Sequence, residues 1–289
     1  MNLLEFHKQI KGYTQNRQPG TEKDMNPRPI SELDEYKAAG KLQGKVALIT
    51  GGDSGIGRSV AILFAKEGAN VAIGYYDEHE DAEETVNRLK EIGVKAEAYA
   101  HDLKDAQQSK KLVQQVVQDF GDLNILVNNG AVQYPQDSFM DITPEQFKDT
   151  FETNIFGMFF LSQAAVPYLS DNDTIINTTS VTAYRGSGHL IDYASTKGAI
   201  VSFTRSLATT LMEKNIRVNG VAPGPIYTPL IPATFDEDKV ENQGGNTPMS
   251  RRGQPAELAP AYVFLATNAD SSYITGQIIH VNGGDYITT

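Results

Sequence analysis

The sequence predicts an α/β protein built on a single doubly wound parallel sheet with helices on both faces. Three observations carry this. Short apolar runs alternate with segments of helical periodicity at the spacing of βαβ units. The runs are continuously apolar, as strands covered on both faces are. Several helical patterns stop at a glycine, at Gly68, Gly93 and Gly121, the residue that most readily takes the left-handed turn at a helix end. Right-handed crossovers between such units make double winding the economical arrangement.

The elements follow in order. Residues 46–49 read as a buried strand, 51–57 as a turn, and 59–68 as a helix with Val60, Leu63 and Phe64 on its apolar spacing. A strand is predicted over 70–76, a helix over 81–92, a strand over 94–100, a helix over 106–120 and a strand over 123–127. Residues 144–169 cover one or two helices, followed by a strand at 174–179, a helix at 193–214 and a strand at 216–221. A helix at 256–266 and a strand at 277–281 close the pattern. Residues 223–255 show no clear element, and a loop that long in a compact domain is usually a lid or binding loop. Residues 1–42 read as an extended N-terminal arm, with Pro19, Pro27 and Pro29 and little periodicity, ahead of one catalytic domain over 43–289. Leu3, Leu4, Phe6 and Tyr36 give the arm anchors for a neighbouring surface; its first part reads equally well as disordered.

Composition narrows the function classes. The chain has 289 residues, 40% of them hydrophobic, enough for one large core. With 25 Lys/Arg against 36 Asp/Glu, its formal charge is −11, which repels phosphate backbones and anionic lipid, so neither nucleic acid nor membrane is an expected partner. There is no cysteine, so disulfides, thiolate metal sites and a cysteine nucleophile are excluded; no metal is expected. No stretch of about 18 apolar residues exists, and residues 1–10 carry Glu5, His7 and Lys8, unlike a signal peptide. A cytoplasmic protein is expected.

The first strand runs into Thr50-Gly51-Gly52-Asp53-Ser54-Gly55-Ile56-Gly57 and then a helix. Such a turn lets backbone approach a ligand, and the helix start offers N–H groups to a pyrophosphate. The spacing of Gly51, Gly55 and Gly57 differs from G-x-G-x-x-G, so the turn alone is a weak sign. The embedded Gly52-Asp53-Ser54-Gly55 matches the string around a trypsin-like nucleophile, but that reading needs an all-β context absent here. After the second strand come Asp77, Glu78, Glu80 and Asp81, with no base at Ser54 or in 72–81. Acids suit a ribose hydroxyl and repel a 2′-phosphate, so NAD is favoured over NADP.

Tyr193 and Lys197 stand four apart on a predicted helix and so share a face. A neighbouring ammonium would lower a tyrosine pKa toward the range useful for acid–base work. Ser180, 13 residues before Tyr193, ends a strand at the carboxyl edge of the sheet, where open α/β folds bind ligands. Asn128, Asn129 and Gly130 end another strand there, Asn154 lies in the following helix, and Pro223 and Gly224 end the sixth strand.

With these residues the chain resembles the short-chain dehydrogenase/reductase family, Rossmann-type proteins. The matching features are the TGxxxGIG turn at 50–57, Asp102-Leu103, the Asn-Asn-Gly at 128–130, Ser180, YxxxK at 193–197, Pro223-Gly224, Gly276 and Asn282-Gly283-Gly284. They span about residues 42 to 289. The likeness is greatest to a bacterial general-stress, glucose-dehydrogenase-like branch whose members carry a similar Pro-rich arm. It implies a hydride-transferring oxidoreductase acting on a small aldehyde, ketone or sugar. By that resemblance Tyr193 would be the general acid/base, and Lys197 would lower its pKa and hold the nicotinamide ribose. Ser180 would bond the substrate oxygen, and Asn154 would anchor a relay water. Gly51, Asp53, Ser54, Gly55, Ile56 and Gly57 would line the pyrophosphate and adenosine side. Tyr75, Asp102 and Leu103 would meet the adenosine, Asn129 and Gly130 the ribose, and Pro223, Gly224, Ile226 and Thr228 the carboxamide end. Two departures stand out: Asn129-Gly130-Ala131 replaces the usual N-A-G, and Tyr75 stands where NAD-dependent members commonly carry Asp.

Two other classes fit a fold of this kind. A dinucleotide-sensing regulator would be expected to have a damaged tetrad, whereas Asn154, Ser180, Tyr193 and Lys197 are all present. A sugar-nucleotide epimerase would need a larger C-terminal part than the 65 residues after Gly224. A homotetramer is expected by the resemblance. It is also suggested by Phe147, Phe151, Phe156, Met158, Phe159 and Phe160, more apolar surface than one core-facing stripe needs, and by Tyr286 and Ile287 near the C-terminus.

Overall fold

The computed structural model describes residues 2–287. Seven strands form one all-parallel sheet: β1 (Val46–Thr50), β2 (Asn70–Tyr75), β3 (Ala96–Ala100), β4 (Ile125–Asn128), β5 (Thr174–Thr178), β6 (Arg217–Pro223) and β7 (Ile278–Val281). Their order is β3-β2-β1-β4-β5-β6-β7. The direction of winding reverses between β1 and β4, which pair in register Ala47 with Ile125 through Ile49 with Val127. The helices are α1 (Leu3–Gln9), α2 (Gly55–Lys66), α3 (His79–Ile92), α4 (Ala106–Phe120), α5 (Pro144–Phe151), α6 (Gly157–Ala165), α7 (Thr182–Arg185), α8 (Ile191–Leu211), α9 (Glu237–Asn242), α10 (Pro255–Ala266) and α11 (Asn268–Ser271).

Alternate residues of each strand face opposite layers. Ala47, Ile49, Val71, Ile73, Val127, Ile176 and Val221 pack with Val60 and Phe64 of α2, Val86 and Leu89 of α3, and Leu258 and Tyr262 of α10. Val46, Leu48, Ala72, Leu126, Ile175 and Val218 pack on the other face with Leu112 and Val116 of α4, Leu161 of α6 and Ala208 of α8. The predicted double winding is therefore present, with every central strand covered twice. No helix among the described residues is long and apolar enough to cross a membrane.

The differences from expectation are local. Helix α2 starts at Gly55 rather than 59, because its first residues are glycine-rich and carry no apolar period. The 144–169 segment is two helices joined by a π-turn over Glu152–Phe156. The first part of the arm is a helix, capped by Asn2, whose side chain accepts the N–H groups of Leu4 and Glu5. Phe6 and Ile10 bury with Met25 against Tyr227, far along the chain, while Leu4 remains exposed. Tyr227 bonds to the arm again, its hydroxyl meeting that of Tyr13 at 2.9 Å and donating to the Pro27 carbonyl at 3.0 Å. The arm thus grips the base of the 223–255 segment, which contains α9 and a bridge between Ile226 and Gly253.

Candidate active site

The carboxyl ends of β1, β2, β4, β5 and β6 open onto one cavity of about 380 Å³ at the switch between β1 and β4. This is where open α/β sheets bind ligands. Of the residues expected to form the site, Gly51, Asp53, Ser54, Gly55, Ile56, Tyr75, Asp102, Leu103, Asn129, Gly130, Ser180, Tyr193, Lys197, Pro223, Gly224, Ile226 and Thr228 line it. Gly57 and Asn154 stand behind its wall.

The glycine turn is fixed from two sides. Gly51 has φ +60°, a conformation that side chains disfavour. At Gly57 an added Cβ would lie 1.9 Å from the Gly51 carbonyl oxygen, so the helix can approach the turn only with glycine there. From β4, the Asn129 amide donates to the carbonyls of Thr50 at 3.2 Å and Gly51 at 3.3 Å. Thr50 Oγ1 accepts the N–H groups of Asn129 and Gly130 at 2.9 and 3.1 Å. From the arm, buried Glu22 accepts the Gly55 N–H at 2.6 Å. The turn and the start of α2 are thereby fixed at the cavity wall, where Glu22 takes the Gly55 N–H and the remaining N–H groups of the first turn would be the ones left for a pyrophosphate.

Tyr193 and Lys197 lie one turn apart on α8, with the Lys197 ammonium 5.2 Å from the centre of the Tyr193 ring. Lys197 is 2% exposed and donates to the Thr178 carbonyl at 3.1 Å. Burial lowers its pKa to about 7. Burial also pushes the Tyr193 pKa up to about 12, against which the hydroxyl of Ser180 acts in the opposite sense. The expected lowering of the tyrosine pKa by Lys197 is therefore not found: burial sets the direction at Tyr193, and the same burial disfavours the charge on Lys197. The Ser180 oxygen is itself positioned by Thr182, accepting from its N–H at 3.1 Å and its hydroxyl at 3.0 Å.

Asn154 sits in the π-turn, an irregularity that recurs at functional sites. Its carboxamide accepts the Val132 N–H at 2.9 Å and donates to the Val132 carbonyl and the Thr196 hydroxyl at 2.9 and 3.1 Å. It ties the loop after β4 to the turn of α8 that carries Tyr193 and Lys197.

Several wall residues had no signal in the sequence. Gln18, Pro19 and Gly20 of the arm lie on the wall, and Glu78 and His101 line it beyond the ends of β2 and β3. Nothing in an aperiodic arm indicates where it lands. Pro229, Leu230 and Ile231 of the long loop line it too, as a binding loop would, with Pro229 against Gly20 of the arm. Val181, Tyr184, Leu190 and Ile191, near Ser180 and Tyr193 in the chain, do not line the cavity; the Tyr184 ring packs on His280 with centroids 4.4 Å apart.

The orphaned buried atoms fit a dinucleotide. Glu78 Oε1 and both ring nitrogens of His101, on the cavity wall, are buried without a hydrogen-bond partner. A parallel sheet with a glycine turn at its switch point and a buried Tyr-Lys-Ser cluster across the same cavity defines a nicotinamide-dinucleotide oxidoreductase.

The chain belongs to the short-chain dehydrogenase/reductase family. The family model described as enoyl-(acyl carrier protein) reductase matches residues 51–285. General stress protein 39 of Bacillus subtilis is 53% identical over 99% of this chain and 100% of its own. The glucose and ribitol dehydrogenase of Daucus carota is 52% identical over 93% of this chain and 94% of its own. The NADPH-dependent aldehyde reductase 1 of Arabidopsis thaliana is 51% identical over 93% and 96%. Among solved structures, a short-chain dehydrogenase from Burkholderia cenocepacia in complex with NADP has a TM-score of 0.80 at 31% identity, covering 85% of this chain and 99% of that one. A 3-ketoacyl-(acyl-carrier-protein) reductase from Brucella melitensis complexed with NADH has a TM-score of 0.77 at 33% identity, covering 85% and 100%.

Proposed function

We propose that this protein interconverts a small aldehyde, ketone or sugar with the corresponding alcohol, using NAD in preference to NADP, with Tyr193 as the proton-transferring group. The observation that carries the reading is the buried Tyr193-Ser180-Lys197 cluster, which shares one cavity with the glycine turn. The names of the carrot and Arabidopsis relatives support the substrate class. The bound dinucleotide supplies or takes up the hydride.

The protein's own groups do the rest. Tyr193 gives its phenolic proton to the substrate oxygen in reduction, or takes the hydroxyl proton in oxidation. The Ser180 hydroxyl, oriented by Thr182, donates a hydrogen bond to the same oxygen as charge develops there. Lys197, held by the Thr178 carbonyl, binds the nicotinamide ribose and, when protonated, stabilises the phenolate. Asn154 acts behind them by fixing Val132 and Thr196. The apolar Ile226, Leu230 and Ile231 restrict water at the substrate end.

NAD is supported by the buried acids Asp53 and Glu78 at the adenosine end. Of the nearby bases, Arg58 is paired with Glu22 and Glu84, and Lys104, on the cavity wall, is paired with Asp149. A homotetramer is supported by Phe147, Phe156 and Phe159, all more than 40% exposed on the α5–α6 face. The test is the absorbance change of reduced cofactor, with NAD and NADP against sugars, alcohols and aldehydes. No turnover with any of them would defeat the reading.

A further inference from the structure

One buried carboxylate takes no part in the chemistry described so far. Asp192 precedes Tyr193 in the first turn of α8 and is fully buried. The partners that hold it are neutral. Its Oδ1 accepts the Tyr193 N–H at 2.8 Å. Its Oδ2 accepts the Thr150 hydroxyl at 2.8 Å and the Gln146 amide at 3.0 Å, both from α5. A carboxylate taken out of water needs donors in place of its hydration, and the N-terminal turn of a helix favours its charge. Gln146 carries the chain of bonds further. The same amide donates to the Tyr134 carbonyl at 3.1 Å, and its Oε1 accepts from the Gln136 amide at 2.6 Å. The Gln136 N–H in turn donates to the His189 carbonyl at 2.9 Å, just before α8. Tyr134 lies on the cavity wall, as Tyr193 does, whereas neither Asp192 nor Gln146 reaches it.

We propose that Asp192 is a positioning residue for Tyr193. Through Gln146 it ties the start of α8 to α5 and to the loop after β4, and so sets the Tyr193 hydroxyl against the wall at Tyr134. This rests on the acid–base role given to Tyr193 above. Only a carboxylate supplies what the geometry asks, because three donors converge on its two oxygens. An amide at position 192 would turn N–H groups toward the Gln146 amide, donor against donor. Gln146 would be pushed away, releasing Tyr134 and the first turn of α8 together. A misplacement of about 1 Å at a reacting group costs on the order of 10² in rate. Cofactor affinity does not hang on this network. Lys197 is held a turn further on by the Thr178 carbonyl, and the glycine turn by Asn129 and Glu22.

The experiment compares the full chain with Asp192→Asn, with Gln146→Ala, and with the swapped pair Asp192→Asn/Gln146→Glu, in which an amide at 192 donates to a carboxylate at 146. Thermal melts establish that each is folded. Gln146 is only partly buried, so its variant carries the test if Asp192→Asn does not fold. Kinetics use the substrate turned over fastest in the cofactor assay, and calorimetry gives the NADH dissociation constant. In both single variants kcat should fall about 10- to 100-fold, with KM and NADH affinity within about threefold of the parent. The swapped pair should regain about tenfold over Asp192→Asn, a coupling of the size that contacting residues show. Hydrogen–deuterium exchange should quicken in the peptides carrying Tyr193 and Tyr134. Turnover within about threefold of the parent in both single variants overturns the proposal. So does an equal loss of kcat and NADH affinity, which marks general loosening, or unchanged exchange at either peptide in Asp192→Asn. Tyr193→Phe is run alongside. If it keeps the parent rate, the acid–base reading fails, whereas the exchange result needs no substrate and is judged separately.

Discussion

Gln18 and Gln133 are joined across the mouth of the cavity by a pair of hydrogen bonds. The Gln18 amide donates to the Gln133 carbonyl and accepts the Gln133 N–H, each at 3.0 Å. A side chain of the arm thus fills the backbone valences of the loop after β4, as a neighbouring strand would. Gln133 in turn donates to Thr234 of the long loop at 2.9 Å. Three segments that are remote in sequence are thereby fastened at one edge of the site.

Removal of residues 1–40 should therefore destabilise the domain as well as open the cavity. Phe6, Ile10 and Met25 would lose their contact with Tyr227, and each such side chain is worth about 1.5–3 kcal/mol when buried. Differential scanning calorimetry should show a melting temperature lower by roughly 10 °C. A truncated chain that melts with the full one would show that the arm contributes nothing to stability.

Tyr193→Phe keeps the buried ring and deletes only the proton. Turnover should fall by about 10² to 10⁴, the usual contribution of general acid–base catalysis, while the cofactor dissociation constant stays put. Activity within tenfold of the parent would remove Tyr193 from the assigned role.

Lys197→Met should weaken cofactor binding and turnover together, but it should raise stability in a pH-dependent way. Burial takes the Lys197 pKa from an ordinary 10.5 to about 7. Above pH 10.5 neither the folded nor the unfolded chain carries the proton, and there is no penalty. Between 10.5 and 7 the unfolded chain binds a proton that the folded one refuses, so stability drops as pH falls, and below 7 the loss is complete. The variant should accordingly gain most in melting temperature near pH 6 and nothing near pH 10.5. Parallel melting curves across that range would contradict the lowered pKa.

The α5–α6 face should be buried in solution. Phe159 is 46% exposed, its ring 6.2 Å from that of Phe203 on α8. Sedimentation equilibrium should give a tetramer for the parent chain and smaller species for Phe159→Asp. A monomeric parent would end the tetramer reading. Thr288 and Thr289, at the end of the C-terminal segment also expected to take part, lie outside the described residues.

The central strands and their winding were legible because they are short apolar runs, and burial on both faces leaves that mark directly in the sequence; the edge strands β3 and β7, only partly buried, were legible from their place in the alternation. That Tyr193 and Lys197 share a face was legible from helical spacing; their roles came only with the family resemblance, since most pairs at that spacing are surface neighbours. The π-turn that holds Asn154 was not, since one extra residue in a turn leaves the apolar pattern of residues 144–169 nearly unchanged. Nor could Glu78 be told from Asp77, Glu80 or Asp81. Direction in a turn after a strand depends on the arm's Arg17 and Lys23, 60 and 57 residues away. The rise in the Tyr193 pKa was hidden for a different reason: its sign is decided by burial, and spacing shows only which charge is nearby.

The bond from Tyr227 to Pro27 spans 200 residues, and this sets an order of events on the ribosome. The arm is made first and placed late. At about 5–20 residues per second, the apolar side chains of α1 wait some 10 to 40 s before the surface they cover has been synthesised. Until then the nascent chain carries an uncovered greasy end, a window for chaperone capture that closes only when the long loop emerges and the arm folds down over it.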